Sequence, residues 1–243
     1  MTAIFNKLAA KAEASGVFYF ITLFSICLCV FAATFYFPTF YRDMYDLFSA
    51  KGMEIHRASF LAHLIQTFFY DSVLIIFTWA GMKLLRIPLP EIGWKKPTGI
   101  GRILLSTLIM LTFLIVFGMA QTLLRTRELY WFSIQFGKNW SDLGNPSVYI
   151  FIFTSVFNAP LEEIFYRGFL QTAIEKKLGA KHAIIISALA YAAAHINVSN
   201  NLSQIFASGL ILGSLKKWGN DLWNPIAAHL TKNIFASWLF IRF

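Results

Sequence analysis

Several polar side chains stand inside hydrophobic runs where packing alone has no use for them: Glu162, Glu163, Arg167, His195, His229 and Asn233, with Lys232 and Asp71 beside them. A charge held near a bilayer centre costs about 2.5–3.5 kcal/mol even on the lenient insertion scale, so such residues need a reason. In Pro160-Leu161-Glu162-Glu163-Ile164-Phe165-Tyr166-Arg167-Gly168, Glu163 and Arg167 are four apart in the favourable acid-before-base order. That pairing compensates one negative charge. Glu162 points about 100° away, has no opposite charge in its own helix, and suits a general base or acid.

His195 shares a helical face with Tyr191, four residues earlier. Glu162 and His195 are equally far along the chain from the midpoint of Lys176–Lys181. An antiparallel hairpin turning there brings the two to the same depth, because depth is rise per residue times distance from the turn. His229 and Asn233 are again four apart, and both can donate hydrogen bonds to an oxyanion. They would serve equally as polar contacts between helices.

No Ser lies in a GxSxG setting and no Cys stands near either histidine, so the chemistry that fits is activation of water and attack on a carbonyl, as in peptide hydrolysis. Other readings stay open. The same side chains could form a fixing network in a non-catalytic scaffold or immunity protein. They could also relay protons in a transporter, for which Asp71 is the best additional residue. A transporter is expected to show inverted repeats, and none is visible. Glu162, His195 and His229 could supply three zinc ligands. With His229 and Asn233 placed as donors and Glu163 taken by Arg167, the expectation is no cofactor and no tight zinc site. The sequence contains no HExxH or CxxC.

These residues must be positioned by helices. Of 243 residues, 57% are hydrophobic and 14% charged, against about 25% charged in a soluble domain, and 26 are Phe. The expected fold is all-α, a polytopic transmembrane helical bundle of about seven spans, with six to eight allowed. The spans run Val17–Phe37, closed by Pro38; Leu61–Leu85; Ile103–Ala120; Val148–Ile174, interrupted by Pro160; Ala183–Ile196; Leu202–Leu215; and Leu222–Ile241. Residues 1–146 would form the N-terminal helices, with Arg125–Pro146 lying in the membrane interface, and 147–243 the catalytic core. Cys27 and Cys29, two apart in the first span, do not face each other and read as neither disulfide nor metal pair.

The net charge of +9 comes from basic residues in short loops, which fix topology and meet anionic headgroups. No basic stripe interleaved with stacking aromatics argues for nucleic acid. Most of the 21 Lys and Arg fall on the side of Lys7, Lys95, Lys176 and Lys216, which places the N-terminus in the cytoplasm.

The three motifs Glu162-Glu163-x-x-x-Arg167, Tyr191-x-x-x-His195 and His229-x-x-x-Asn233, in that order on separate apolar helices, resemble the CPBP family, the CAAX protease and bacteriocin-processing enzymes, also called Abi. Ala159-Pro160, Gly168 and Asn224-Pro225-Ile226 match as well, so the resemblance covers about residues 147–236. The preceding part matches only in layout, with Ile92-Gly93-Trp94-Lys95-Lys96 similar to a short family segment. The resemblance implies an intramembrane endopeptidase of the kind that cleaves after a prenylated cysteine in eukaryotes. In bacteria it implies peptide maturation, bacteriocin self-immunity or regulation, in the plasma membrane. It implies an apolar or lipid-modified peptide substrate, and a glutamate-dependent mechanism in a family often labelled metalloprotease. Tyr166 and Tyr191 stand where the family often has Phe; both keep an aromatic ring, so activity is expected to be kept. The oligomeric state is left undetermined.

Overall fold

The computed structural model describes residues 2–126, 156–196 and 201–240, and the regular elements among them are all helical. Most of Arg125–Pro146 and of the linker Ile196–Ser203 lies outside the described residues. Helix α1 (Thr2–Ala14) precedes the first apolar run, and Ser15 then caps α2 by accepting from Phe18 N at 3.3 Å.

Helix α2 runs Gly16–Ala50, straight through Pro38, so the expected stop at Phe37 is corrected. Pro38 sits on the exposed face and removes only its own N–H. The opposite face is packed up to Pro38, and beyond it the Tyr41 hydroxyl lies 2.9 Å from Ser59 Oγ. Tyr19, Leu23, Ile26, Val30, Thr34 and Phe37 are buried at three- and four-residue spacing, and Gln66 Nε2 donates to Phe37 O at 3.2 Å. The real stop comes at Gly52, whose φ of 76° a side chain would resist.

Helix α3 (Ile55–Leu84) begins a turn and a half before its apolar run, with Glu54 and Arg57 paired at 3.8 Å in its polar start. Helix α4 spans Ile100–Thr126. Gly16–Ala50, Arg57–Leu84 and Ile100–Gln121 are long and apolar enough to cross a membrane, and only 22% of the apolar window of each is buried. Phe24, Phe68, Ile76 and Leu104 point outward at more than half exposure. A contiguous surface of that kind calls for lipid.

The second half differs from the spans expected of it. Residues 156–163 form α5, which continues through Pro160 without interruption. The irregularity follows instead at Ile164–Gln171, a π-helical stretch. Helix α6 (Thr172–Ala194) is bent at Gly179 (φ 78°, ψ 169°), so Lys176–Lys181 is a one-residue corner with helix on both sides and not a loop. Helix α7 (Leu202–Gly219) starts under an Asn201 cap and ends at left-handed Asn220 (φ 52°); α8 runs Trp223–Phe240.

Tyr19, Leu23, Tyr70, Leu74, Phe165, Phe169 and Tyr191 join α2, α3, the π stretch and α6 in one core. Met110, Leu114, Leu212, Leu215 and Ala228 join α4, α7 and α8 in a second. The π stretch lies between these groups, with Phe165 to Gln171 all buried. Glycines let α7 reach it: a Cβ at Gly209 would stand 3.4 Å from Arg167 Nη2, and one at Gly213 would stand 3.0 Å from Gln171 Oε1.

Candidate active site

Glu163 and Arg167 flank the start of the π stretch and are fully buried, with Arg167 Nη1 donating to Glu163 Oε1 at 3.1 Å. The guanidinium also donates through Nη2 to Gly209 O at 3.4 Å and lies over the Tyr191 ring, 4.4 Å from its centroid. A backbone carbonyl is reachable because Gly209 has no side chain to hold α7 away. The second acid, Glu162, turns to a different face. Its carboxylate receives Asn158 Nδ2 at 3.3 Å from one turn earlier.

The corner at Gly179 carries α6 back alongside the π stretch and brings His195 to the depth of Glu162. His195 Nε2 lies 3.8 Å from Glu162 Oε1, and His229 Nε2 on α8 lies 3.6 Å from Glu162 Oε2. The other ring nitrogens are occupied. His195 Nδ1 pairs with Tyr191 O at 2.8 Å, and His229 Nδ1 with Glu163 Oε1 at 2.7 Å. A carbonyl oxygen or an ionised carboxylate only accepts, so each Nδ1 carries the proton, and a neutral His195 ring turns its Nε2 lone pair toward Glu162.

Two residues complete the site that the motif reading valued too little. Lys232 Nζ donates to the Tyr191 hydroxyl at 2.7 Å, and that hydroxyl lies 3.1 Å from His229 Nε2. Since an ammonium only donates, the hydroxyl proton is left for His229. Tyr191 therefore contributes a polar contact as well as a ring. The signal was present in Lys232, a charge in an apolar helix one turn from His229. The cluster then contains two carboxylates, Glu162 and Glu163, and two cations, Arg167 and Lys232, so its formal charges cancel. Asn233 follows one turn after His229 on α8 and is half-buried. Asp71 is buried on α3, and its Oδ1 has no hydrogen-bond partner among the described residues.

The start of α8, and with it the height of His229, is set by Asp221. Its Oδ2 accepts from Thr98 N at 3.1 Å and Thr98 Oγ1 at 2.7 Å; its Oδ1 accepts from Asn224 N at 3.1 Å and Asn224 Nδ2 at 2.8 Å. Burial alone would raise the Asp221 pKa, but these hydrogen bonds outweigh it and hold the carboxyl below its usual range. Gly93 O accepts from Leu222 N at 3.1 Å, and a Cβ at Gly93 would stand 3.2 Å from the Asp221 backbone. The Ile92-Gly93-Trp94 segment is thus the strap that anchors α8.

No group of three His, Cys, Asp or Glu among the described residues is spaced to hold a metal ion. The His229 nitrogen that would ligate zinc already accepts from Tyr191, and a cation, Lys232, stands directly behind it. Glu162, His195 and His229 are the residues that would hold zinc, and His229 Nε2 would have to give up its contact with Tyr191 to do so. Glu162 and His229 are 4% and 1% exposed, while His195 is 21% exposed, so the site opens on the His195 side.

Residues 144–235 match the family model described as type II CAAX prenyl endopeptidase, Rce1-like. No curated protein and no solved structure matches the chain.

Proposed function

We propose, from the match of residues 144–235 to the type II CAAX prenyl endopeptidase model, that the chain is an intramembrane endopeptidase of the CPBP family using water activated by Glu162 and His195. One observation carries this reading. A buried carboxylate faces the Nε2 atoms of two histidines at 3.8 and 3.6 Å, and both rings are locked by their Nδ1 bonds. A water donating to Glu162 and to His195 Nε2 is left with its oxygen lone pair free to attack a carbonyl carbon. One proton passes to Glu162 as the new C–O bond forms. The same proton, delivered to the amide nitrogen, lets the C–N bond break.

Negative charge then develops on the former carbonyl oxygen. Asn233 and the Tyr191 hydroxyl are the donors on that side, the hydroxyl turning its proton from His229 Nε2 to the oxyanion while His229, held at Nδ1 by Glu163, stays neutral. Lys232 orients the Tyr191 hydroxyl, and Arg167 fixes Glu163. Metal takes no part in these steps.

The substrate class is an apolar or lipid-modified peptide, since the site lies among helices whose outer surfaces face lipid and opens beside His195. The N-terminus and the Gly179 corner lie on the cytoplasmic side. The test is cleavage of a membrane-peptide library, including farnesylated CAAX peptides, by purified protein in proteoliposomes with and without 1,10-phenanthroline. Glu162→Gln is expected to abolish cleavage with the thermal unfolding profile kept, and the chelator to change nothing. Full activity in Glu162→Gln would refute the reading, and activity lost on chelation and restored by zinc would overturn the metal-free mechanism. A transporter would instead show proton-coupled uptake lost in Asp71→Asn.

A further inference from the structure

The first arm of α6, the last turn of α7 and the α3–α4 connection enclose a cavity of about 460 Å³. That size is within the ~300–1,000 Å³ of small-ligand sites. Its charges are unbalanced. Lys176 pairs with Glu91 at 2.6 Å and Lys217 pairs with Glu175, so those four residues neutralise one another. Lys95 and Lys216 also line the cavity, and neither forms an ion pair with a carboxylate among the described residues.

Lys216 is the informative one. It is 5% exposed, and its ammonium donates to a neutral hydroxyl, Thr172 Oγ1, at 2.9 Å. Lys95 and Lys217 repel it, and the carboxylate that attracts it, Glu175, is engaged by Lys217. A buried ammonium is expensive to hold without a counter-charge, so this lysine sits in a place built for an anion.

The cavity also lies at the height where the membrane surface is expected. Glu91 and Lys95 belong to the connection between the apolar helices Arg57–Leu84 and Ile100–Gln121. Trp94 and Trp223 stack there with centroids 5.7 Å apart, 45% and 36% exposed, and Trp223 Nε1 donates to Lys95 O at 2.7 Å. Exposed indoles at the end of apolar spans mark the headgroup layer, and basic pockets at that level take lipid phosphates.

We propose that this cavity binds a phosphate anion, carried by an anionic lipid headgroup or free in solution, between Lys216 and Lys95 with the Thr172 hydroxyl as a further contact. The proposal stands independently of the protease reading.

The test uses full-length protein in a neutral detergent, with thermal unfolding and native mass spectrometry as readouts. The ligands are short-chain phosphatidylglycerol, phosphatidylcholine and inorganic phosphate. Phosphatidylglycerol is expected to raise Tm by roughly 5 °C near saturation and to persist as a bound adduct, with phosphatidylcholine inert. A shift with inorganic phosphate alone would identify the free anion as the ligand. Lys216→Met and Lys95→Gln should each lose most of the shift. Lys95 is exposed, so its variant folds even if Lys216→Met does not. Lys96→Gln removes an adjacent charge that does not line the cavity and should keep the shift. No shift with phosphatidylglycerol or phosphate, a shift retained in Lys95→Gln, or equal loss in Lys96→Gln would overturn the proposal.

Discussion

Glu162 and Glu163 are neighbours with different partners, and the difference separates their expected mutational behaviour. Glu163 is bonded to Arg167 and to His229, all three with side chains at most 1% exposed. Glu163→Gln leaves the guanidinium without its counter-charge, at a cost of about 3–5 kcal/mol. Thermal unfolding in detergent should show that loss in Glu163→Gln and not in Glu162→Gln; equal losses would contradict the division of labour. Tyr191 gives a finer test, because Tyr191→Phe keeps the ring beneath Arg167 and removes only the hydroxyl between Lys232 and His229. The expected result is a roughly ten- to hundredfold fall in kcat with KM little changed, the size of one hydrogen bond to a charged group. Wild-type kcat in Tyr191→Phe would mean that the ring alone matters.

At the scale of elements, the π stretch and the Asp221 strap do the positioning. The π stretch replaces one steady α-helical face with a run of buried residues, which lets Arg167 and Gln171 reach the carbonyls of Gly209 and Gly213 at 3.4 and 3.0 Å. Asp221 ties the start of α8 to Thr98, and four hydrogen bonds hold its carboxyl below the usual range against the opposing effect of burial. A carboxylate with a depressed folded pKa stabilises fully above its unfolded value, near 3.9, and loses that contribution as pH falls through the folded value. Wild type should therefore unfold at a higher temperature than Asp221→Asn at pH 7, and the gap should close as pH is lowered below about 4. A gap independent of pH would show that the ionised carboxylate is not what holds the strap.

The whole molecule divides into lipid-facing and site-forming parts. Helices α2, α3 and α4 spend most of their perimeter outward, while the π stretch is enclosed on its buried face by α3, α6 and α7. This asymmetry suits a site that takes its substrate at membrane depth. The orientation proposed from the charge bias has a direct test at Lys177, which is exposed beside the Gly179 corner. In a background without Cys27 and Cys29, a single Lys177→Cys should resist an impermeant maleimide in intact cells and label after lysis. Labelling without lysis would reverse the topology.

Much of this was decided by residue type and spacing alone. Apolar runs longer than a signal sequence or soluble core helix require a helical membrane protein, because lipid offers the backbone no other hydrogen-bond partner. Charges in those runs marked the site, since their cost has to be offset by use. The equal spacing of Glu162 and His195 about the basic corner pointed to similar depths on the simple assumption of one helical rise in both arms, which the π stretch in the first arm only approximates. Spacing could not show that His229 belongs with Glu163 as well as with Glu162, that Lys232 reaches Tyr191, or that Asp221 anchors α8 through Thr98. Those contacts join residues 38 to 123 positions apart, and in several cases more than two helices. Nor could it place the π stretch, which no residue type in Ile164–Gln171 dictates. The widened turns there depend on α7 coming close enough, at its two glycines, to accept Arg167 and Gln171, and only the tertiary packing decides that.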